Sequence, residues 1–501
     1  MIEASVPRSW LLCGLAANPA VPADLLDRLI ALADNEVCLE LADRDDLSPS
    51  QLRTLAARGG AGTVIRLARR GLVTAAEVDP ADPPAALALL DIGSAPASWA
   101  HVMSDHPDPS VRACVAAAEH VPVEVLRALA DDPDPAVVTE AARSRTMPAD
   151  VIVRLARHLH VAVRRAVATN ETTPTPVLTA LGTDGVLPPA RFCPGCDGTT
   201  DPPAGSCCRG EHEDALADLR YALVTNPATP PDVVAGCAGH PANWVRCAVA
   251  ERQDLPAEVY HRLAVDRTPG VRGAVAANPA IGENLIRTMA ADDTHDVRRR
   301  VAHNPNVPLD VLTTIAPITR IGPRLLPRIA AATPDEIAQL ARSPVAAIRM
   351  LLAERPDLPA TVVNLLADDP DAKALKSLAP NPALTEQQLR TMVARHGTRV
   401  IARVARNPTC GPGLLRDLAA HVPPVQKAYR VIASHSNADA TTLMLCLRDH
   451  QARPVAARHP ALPAATITAL LEDPDYRVAE AAAANPSLPR PAMLTLLSAT
   501  G

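Results

Sequence analysis

Three stretches decide the fold: AVAERQDLPAEV from Ala248, AVAANPAIGENL from Ala274 and RVAHNPNVPLDV from Arg300. Laid over one another, they put Arg252, Asn278 and Asn304 at one position, 26 residues apart. Asn226 lies a further 26 residues upstream, and Arg355, Asn381 and Asn407 keep the same spacing, as do His459 and Asn485. In the N-terminal half Asn18 and Arg44 fit, and so do Ala118, Ser144 and Asn170. The register blurs over residues 60–100, 310–345 and 425–450, where degenerate repeats are expected. A fixed period of this length is the mark of a stacked array.

One unit can be read from its residues. In LPAEVYHRLAVD, Leu255, Val259 and Leu263 recur at helical spacing and define one buried face. Pro256 suits a first helical turn, where a missing N–H costs nothing. Asp266 and Pro269 mark a turn and a restart, and Val271, Ala274 and Val275 then face inward. Asn278 stands before Pro279, and a residue before proline is pushed out of the α region. Each unit therefore reads as a helix of about three turns, a tight turn, a second helix of about two turns, and a corner. So few apolar side chains cannot offset the entropy of ordering a single unit, so the units must stack.

Composition agrees. Of 501 residues 51 are proline, and these recur at fixed places instead of scattering as they would in a disordered chain. Aromatic residues make up only 2 %, which leaves Leu, Val and Ala to pack thin layers of short helices. The net charge of −6 offers no general attraction to nucleic acid or to an anionic membrane. No run of apolar residues is long enough to span a bilayer, and no secretory signal is recognisable, so a cytoplasmic protein with no membrane attachment is expected.

The pattern A-N-P-x-x-P-x-x-x-L-x-x-L-A-x-D followed by V-R-x-x-V-A resembles the leucine-rich repeat variant (LRV) family of bacterial repeat proteins. Residues 226–307 carry it best, in NPATPPDVV and DVRRRVAHNPNVP. The resemblance implies an all-α, right-handed superhelical solenoid with alternating α and 3₁₀ helices. Residue types alone leave open whether the second helix is 3₁₀ or α. HEAT-like repeats, the nearest alternative, usually run longer per unit.

Two columns of charge follow from the period. Six residues before the corner stand Arg112, Arg164, Arg246, Arg272, Arg298, Arg349 and Arg453; twelve before it stand Asp132, Asp266, Asp292, Asp369 and Asp473. Pairing of the two columns, with the aspartates capping second helices, is the expectation. An exposed basic stripe for an acidic partner is the competing one. The corner asparagines are read as structural, bonded to nearby backbone. Cys13, Cys38, Cys114, Cys237, Cys247, Cys410 and Cys446 stand singly and read as small hydrophobes.

One segment interrupts the array. RFCPGCDGTTDPPAGSCCRGEHED, residues 191–214, holds Cys193 and Cys196 in a C-x-x-C, followed by Cys207, Cys208 and His212. Two thiolates so spaced can chelate one ion, and two of the three later residues would complete a tetrahedron. Zinc is the preferred ion. Known LRV proteins include members with a cysteine-rich 4Fe-4S domain, which implies an iron–sulfur cluster as the alternative, although that domain lies N-terminal to the repeats and this segment lies mid-chain. The sequence thus divides into a helical array over 1–188, a metal-binding insert over 189–214, and a second array over 215–501.

No G-x-S-x-G, H-E-x-x-H, P-loop or G-x-G-x-x-G is present. The expected function is a non-catalytic scaffold that engages a protein partner. A nucleic-acid-binding HEAT-like protein and an iron–sulfur redox sensor are the alternatives. Acidic net charge and eight aromatic residues disfavour nucleic acid.

Overall fold

The computed structural model describes residues 7–79, 83–183, 187 and 212–498. It is all-α: 35 α-helices and two short 3₁₀ turns follow one another, with no strand among the described residues. The chain is a tandem helical solenoid of two compact units. One comprises residues 1–73 with 322–501, and the other residues 74–321. The insert boundaries expected near 189 and 214 fall inside the second unit.

The repeat is two helices, as the periodicity predicts, but their lengths are reversed. The first helix, Ala257–Leu263 in the clearest unit, has seven residues, and the second, Pro269–Ala277, has nine. Pro256 stands at the N-cap and not inside the first turn, so the helix starts one residue later than the pattern suggests. Its carbonyl accepts the Val259 N–H at 3.0 Å, which satisfies the cap without a side chain. The second helix begins with Pro269 in its first turn, where the absent donor is not missed. Second helices are α in these units, not 3₁₀ as the family resemblance implies; among the described residues the 3₁₀ turns are Cys237–Gly239 and Gly397–Arg399.

The inward face is the expected one. Leu255, Val259, Leu263, Val271, Ala274 and Val275 are all buried, joined by Tyr260. Second helices of neighbouring repeats lie close together because their facing residues are small. A Cβ on Gly273 would come within 2.7 Å of the Arg300 side chain.

Successive repeats are joined by one recurrent bond. Each corner asparagine is buried and turned back toward the preceding repeat. Asn278 Nδ2 donates to the carbonyls of Ala250 (2.7 Å) and Arg252 (2.6 Å), and its Oδ1 accepts the Ala280 N–H at 2.8 Å. Asn304 does the same with Ala276 and Asn278, Asn170 with Ala142 and Ser144, and Asn407 with Ala379 and Asn381. The ladder thus ties carbonyls 28 and 26 residues back in the chain. Arginine replaces asparagine at 252, where Nη1 reaches Val224 and Asn226, and at 44, where it reaches Ala16 and Asn18. Most corners carry a donor of the right reach, whether asparagine or arginine; Ala118 and Ser144 occupy the position without making this link.

In the unit formed by the two ends of the chain, this ladder crosses between them. Asn18 Nδ2 donates to Ala483 O (3.0 Å) and Asn485 O (2.7 Å), just as Asn485 donates to Ala457 and His459. The helix Arg8–Ala16 packs on Tyr476–Ala483 as the next second helix of the stack would. Gly14 permits the approach, since a Cβ there would lie 2.2 Å from the Glu480 carbonyl oxygen. Trp10 and Tyr476 meet with ring centroids 4.7 Å apart, and Arg490 pairs with Asp24.

Two outcomes follow. Replacing Asn278 by Leu strands the buried Ala250 carbonyl, while Arg252 keeps the Tyr260 hydroxyl, and should cost about 1–3 kcal/mol. Replacement by Arg, the donor already used at 252, should cost less; urea melts of the two variants should rank them in that order. Gly14→Val should raise hydrogen exchange in residues 8–16 and 476–483 while leaving the unit over 74–321 unchanged.

Candidate functional site

The charged columns recur through the array as the corner asparagines do, and most of their pairs share one geometry. Arg272 on a second helix donates from Nε to Asp292 Oδ2 (2.7 Å) and from Nη2 to Oδ1 (3.1 Å), while Nη1 holds the Asp266 carbonyl (2.9 Å). The Thr294 hydroxyl takes a further bond from Nη2 at 2.9 Å. Arg246 repeats the set with Asp266, His240 and Thr268. Arg112 pairs with Asp132, Arg349 with Asp369 and Arg453 with Asp473. Each arginine takes the aspartate of the following repeat, so the columns clamp neighbours together. The Arg246 and Asp266 side chains are only 6 % and 11 % exposed. Arg112, Arg272 and Arg349 are likewise mostly covered, which leaves no continuous basic stripe along the column, although the Arg453 side chain is 42 % exposed.

The aspartates do not cap the second helices directly. Asp266 Oδ1 accepts the N–H of Thr268, two residues on, and Asp132 does so for Asp134. Asp134 is itself the cap, accepting from the Ala136 N–H, with Pro135 next in the chain. The column residue therefore fixes the turn, and the residue two later starts the helix.

The pairing moves both titrations. Side-chain hydrogen bonds from Arg112, Arg246 and Arg272 hold the Asp132, Asp266 and Asp292 carboxyls below the usual value, against the opposing effect of burial. The same bonds raise the three guanidinium groups. Arg164 differs. It is 5 % exposed, its Nε donates to the His158 carbonyl, Nη2 finds no partner, and burial lowers its pKa. The acidic residues at the matching position, Asp184 and Asp214, lie where no side chain is described.

Of the expected metal ligands, Cys193, Cys196, Cys207 and Cys208 lie outside the described residues, and His212 opens the helix His212–Thr225 with its side chain likewise outside them. Among the described residues no group of three or more His, Cys, Asp or Glu side chains is placed to hold a metal ion. The single cysteines are largely the small hydrophobes expected: Cys13, Cys38, Cys237, Cys410 and Cys446 are buried. Burial pushes the Cys410 and Cys446 thiols up to about 12. Cys114 is exposed and Cys247 is half-buried.

Surface aromatics are the feature that the sequence does not reveal. Trp10, Tyr221, Trp244 and Tyr476 are each about two-fifths exposed, and all four lie on second helices. Periodicity marks which positions face inward; Trp10 and Trp244 share one position of the repeat, eight residues before the corner, while Tyr221 and Tyr476 occupy two others.

If the clamps carry stability, it is lost in acid. The carboxyls of Asp132, Asp266 and Asp292 ionise near about 3.9 in the unfolded chain and lower when folded. Their contribution is complete above the unfolded value and disappears as pH falls through the folded one. Melting temperature should therefore drop steeply below that value, and less steeply in Asp266→Asn/Asp292→Asn. Arg272→Met should cost about 2–3 kcal/mol, between an exposed pair and a fully buried one.

No family model and no curated protein matches the chain. Among solved structures it is similar to one described as a leucine-rich repeat variant with a novel repetitive protein structural motif, at 19 % identity and a TM-score of 0.29 over 52 % of this chain and 87 % of that one. No helix among the described residues is long and apolar enough to cross a membrane. The chain is an all-α array of tandem helical repeats.

Proposed function

We propose that the chain is a non-catalytic scaffold that binds a protein partner through the outward face of its second helices. The placement of its aromatic residues carries this reading. The sequence has only eight, and a core short of large side chains would gain most by burying them. Four are instead held at the surface, two on the neighbouring helices His212–Thr225 and Asn243–Glu251 of the second unit. Tyrosine and tryptophan so displayed are the residues that dominate protein–protein interfaces. Leu216, on the first of these helices, adds exposed apolar surface.

A metal centre in the insert belongs to the same proposal. Zinc would be held by Cys193 and Cys196 with two of Cys207, Cys208 and His212; a 4Fe-4S cluster is the alternative. The C-x-x-C spacing supports it, and so does the insert's scarcity of apolar residues, because folding would then draw on metal binding.

Tyr221→Ala/Trp244→Ala should abolish capture of the partner recovered with the wild-type chain and leave the melting temperature nearly unchanged. Undiminished capture, or tight binding of duplex DNA at physiological salt, would contradict the reading. Elemental analysis of protein prepared with and without oxygen should find one equivalent of zinc, or iron with sulfide, released by Cys193→Ser. Neither metal above trace in both preparations would reduce the insert to a loop.

A further inference from the structure

Two successive corners carry a donor that can take up a proton. At 435 and 459 the corner residue is histidine, and each ring makes both kinds of bond that a corner asparagine makes. His435 Nε2 lies 3.0 Å from the Asn407 carbonyl oxygen, and His459 Nε2 lies 3.2 Å from that of His435. On the other side of each ring, Nδ1 meets a backbone N–H two residues on, from Asn437 and from Ala461, both at 3.1 Å. Asn485 shows the same two halves in amide form: Nδ2 donates to the His459 carbonyl, and Oδ1 accepts the Ser487 N–H. Since Asn18 donates in turn to the Asn485 carbonyl, the two histidines sit in one unbroken run of links from Asn407 to the junction of the chain ends.

These partners fix the state of the rings. A carbonyl can only accept and a backbone N–H can only donate, so Nε2 must carry a proton and Nδ1 must not. Imidazole imitates the amide only while it is neutral. Protonation puts an N–H on Nδ1, aimed at the N–H of Asn437 or Ala461. Either the ring swings away or the turn opens, and both remove the corner bond. The donors at 44, 252, 278 and 304 are arginine or asparagine, which do not change charge near neutral pH. His106, His158 and His240 accept backbone N–H groups through Nδ1 in the same way, but at the aspartate position, where the second nitrogen reaches no carbonyl among the described residues. Acid opens a turn there and no junction.

No carboxylate is placed to stabilise a charged ring. Ion-pair distances are met at His101, His295 and His450 but at neither corner histidine among the described residues. Asp439, which follows His435, is held by Arg416 and by the Thr442 N–H. On the helices packed about the two corners, Arg403 is engaged with Glu354, Arg453 with Asp473 and Arg477 with Asp475, while Asp417 goes to Arg390. Glu480 acts on Arg458 and Glu40, and Asp449 is taken up by the N–H groups of its own turn. Arg406, Lys427, Arg430, Arg448 and Arg458 add only positive charge. Burial holds the His459 ring below its usual value, opposed by the bond to the His435 carbonyl and aided by His435 itself.

We infer that His435 and His459 form an acid-operated release in the array, two successive junctions that hold while both rings are neutral and open once they are protonated. For His459, whose folded value is depressed, the stabilisation is complete above the unfolded value of about 6.5 and is lost as pH falls through the folded one. That window lies well above the one in which the aspartate clamps fail.

Hydrogen exchange of the full chain at about pH 7.5 and about pH 5.5, corrected for intrinsic rates, tests the release. Residues 426–446 and 453–470 should lose protection by about tenfold for each ring that titrates, while residues 269–289 and 295–315, built on Asn278 and Asn304, keep theirs. His435→Asn/His459→Asn restores the amide used at other corners. Its melting temperature at neutral pH should stay close to that of the wild type, and its protection should survive in acid. Unchanged wild-type protection at the lower pH would overturn the release, as would an equal loss in wild type and variant. A nitrogen NMR spectrum of the wild type with labelled histidine, taken at about pH 8, decides independently of the variant. Protons on Nε2 of both rings are expected, and protons on Nδ1 would contradict the inference.

Discussion

The stacking of this structure rests on a buried hydrogen-bond donor at the corner of most repeats. A short helix ends there with carbonyls that nothing inside the helix can satisfy, and the next repeat supplies the donor. The Asn278 amide takes both Ala250 and Arg252 carbonyls at once and closes its own turn through Oδ1. The bond is therefore simultaneously a cap for one repeat, a turn for the next and the link between them. Replacement by arginine at 44, 252 and 355 preserves the link because a guanidinium offers donors of longer reach. Asp46, Asp254 and Asp357 then neutralise the charge that arginine brings.

The arginine–aspartate clamps work on the same junctions from the other end of the second helix. Together the two sets absorb most of the regularly placed polar side chains into the array. In the proposed function, partner recognition falls to residues outside the two columns, chiefly the exposed aromatics. A solenoid of this kind makes a specific surface by breaking its own rules locally, since a fully regular stack presents the same face at every repeat.

Much of the fold was legible in the sequence. Leu255, Val259 and Leu263 announce one helix and Val271 and Val275 the next, and all are buried. The pairing of Arg246 with Asp266 follows from columns twenty residues apart. The direction in which a corner asparagine reaches was not legible. Local turn bonding explains its residue type equally well, and only the coordinates show the donor turned to the preceding repeat. The first helix came out shorter than expected because Pro256 caps it instead of joining it and because it already ends at Leu263. Nor could the sequence reveal that Asn18 would bond to Asn485, because the repeat pattern specifies the shape of a neighbour and not which copy it is. The insert ligands, by contrast, rest on spacing alone.

The most direct test of the corner donor is hydrogen exchange at the asparagine side chains themselves. Nδ2 hydrogens of Asn18, Asn278, Asn304 and Asn407 should be resolved by NMR and exchange only through opening of the repeats, as slowly as the surrounding backbone amides. Protection at Asn18 would show that the two ends of the chain are joined by the same bond as any internal pair. Exchange of these hydrogens at the rate of an exposed asparagine, in a protein whose helices remain protected, would contradict the account.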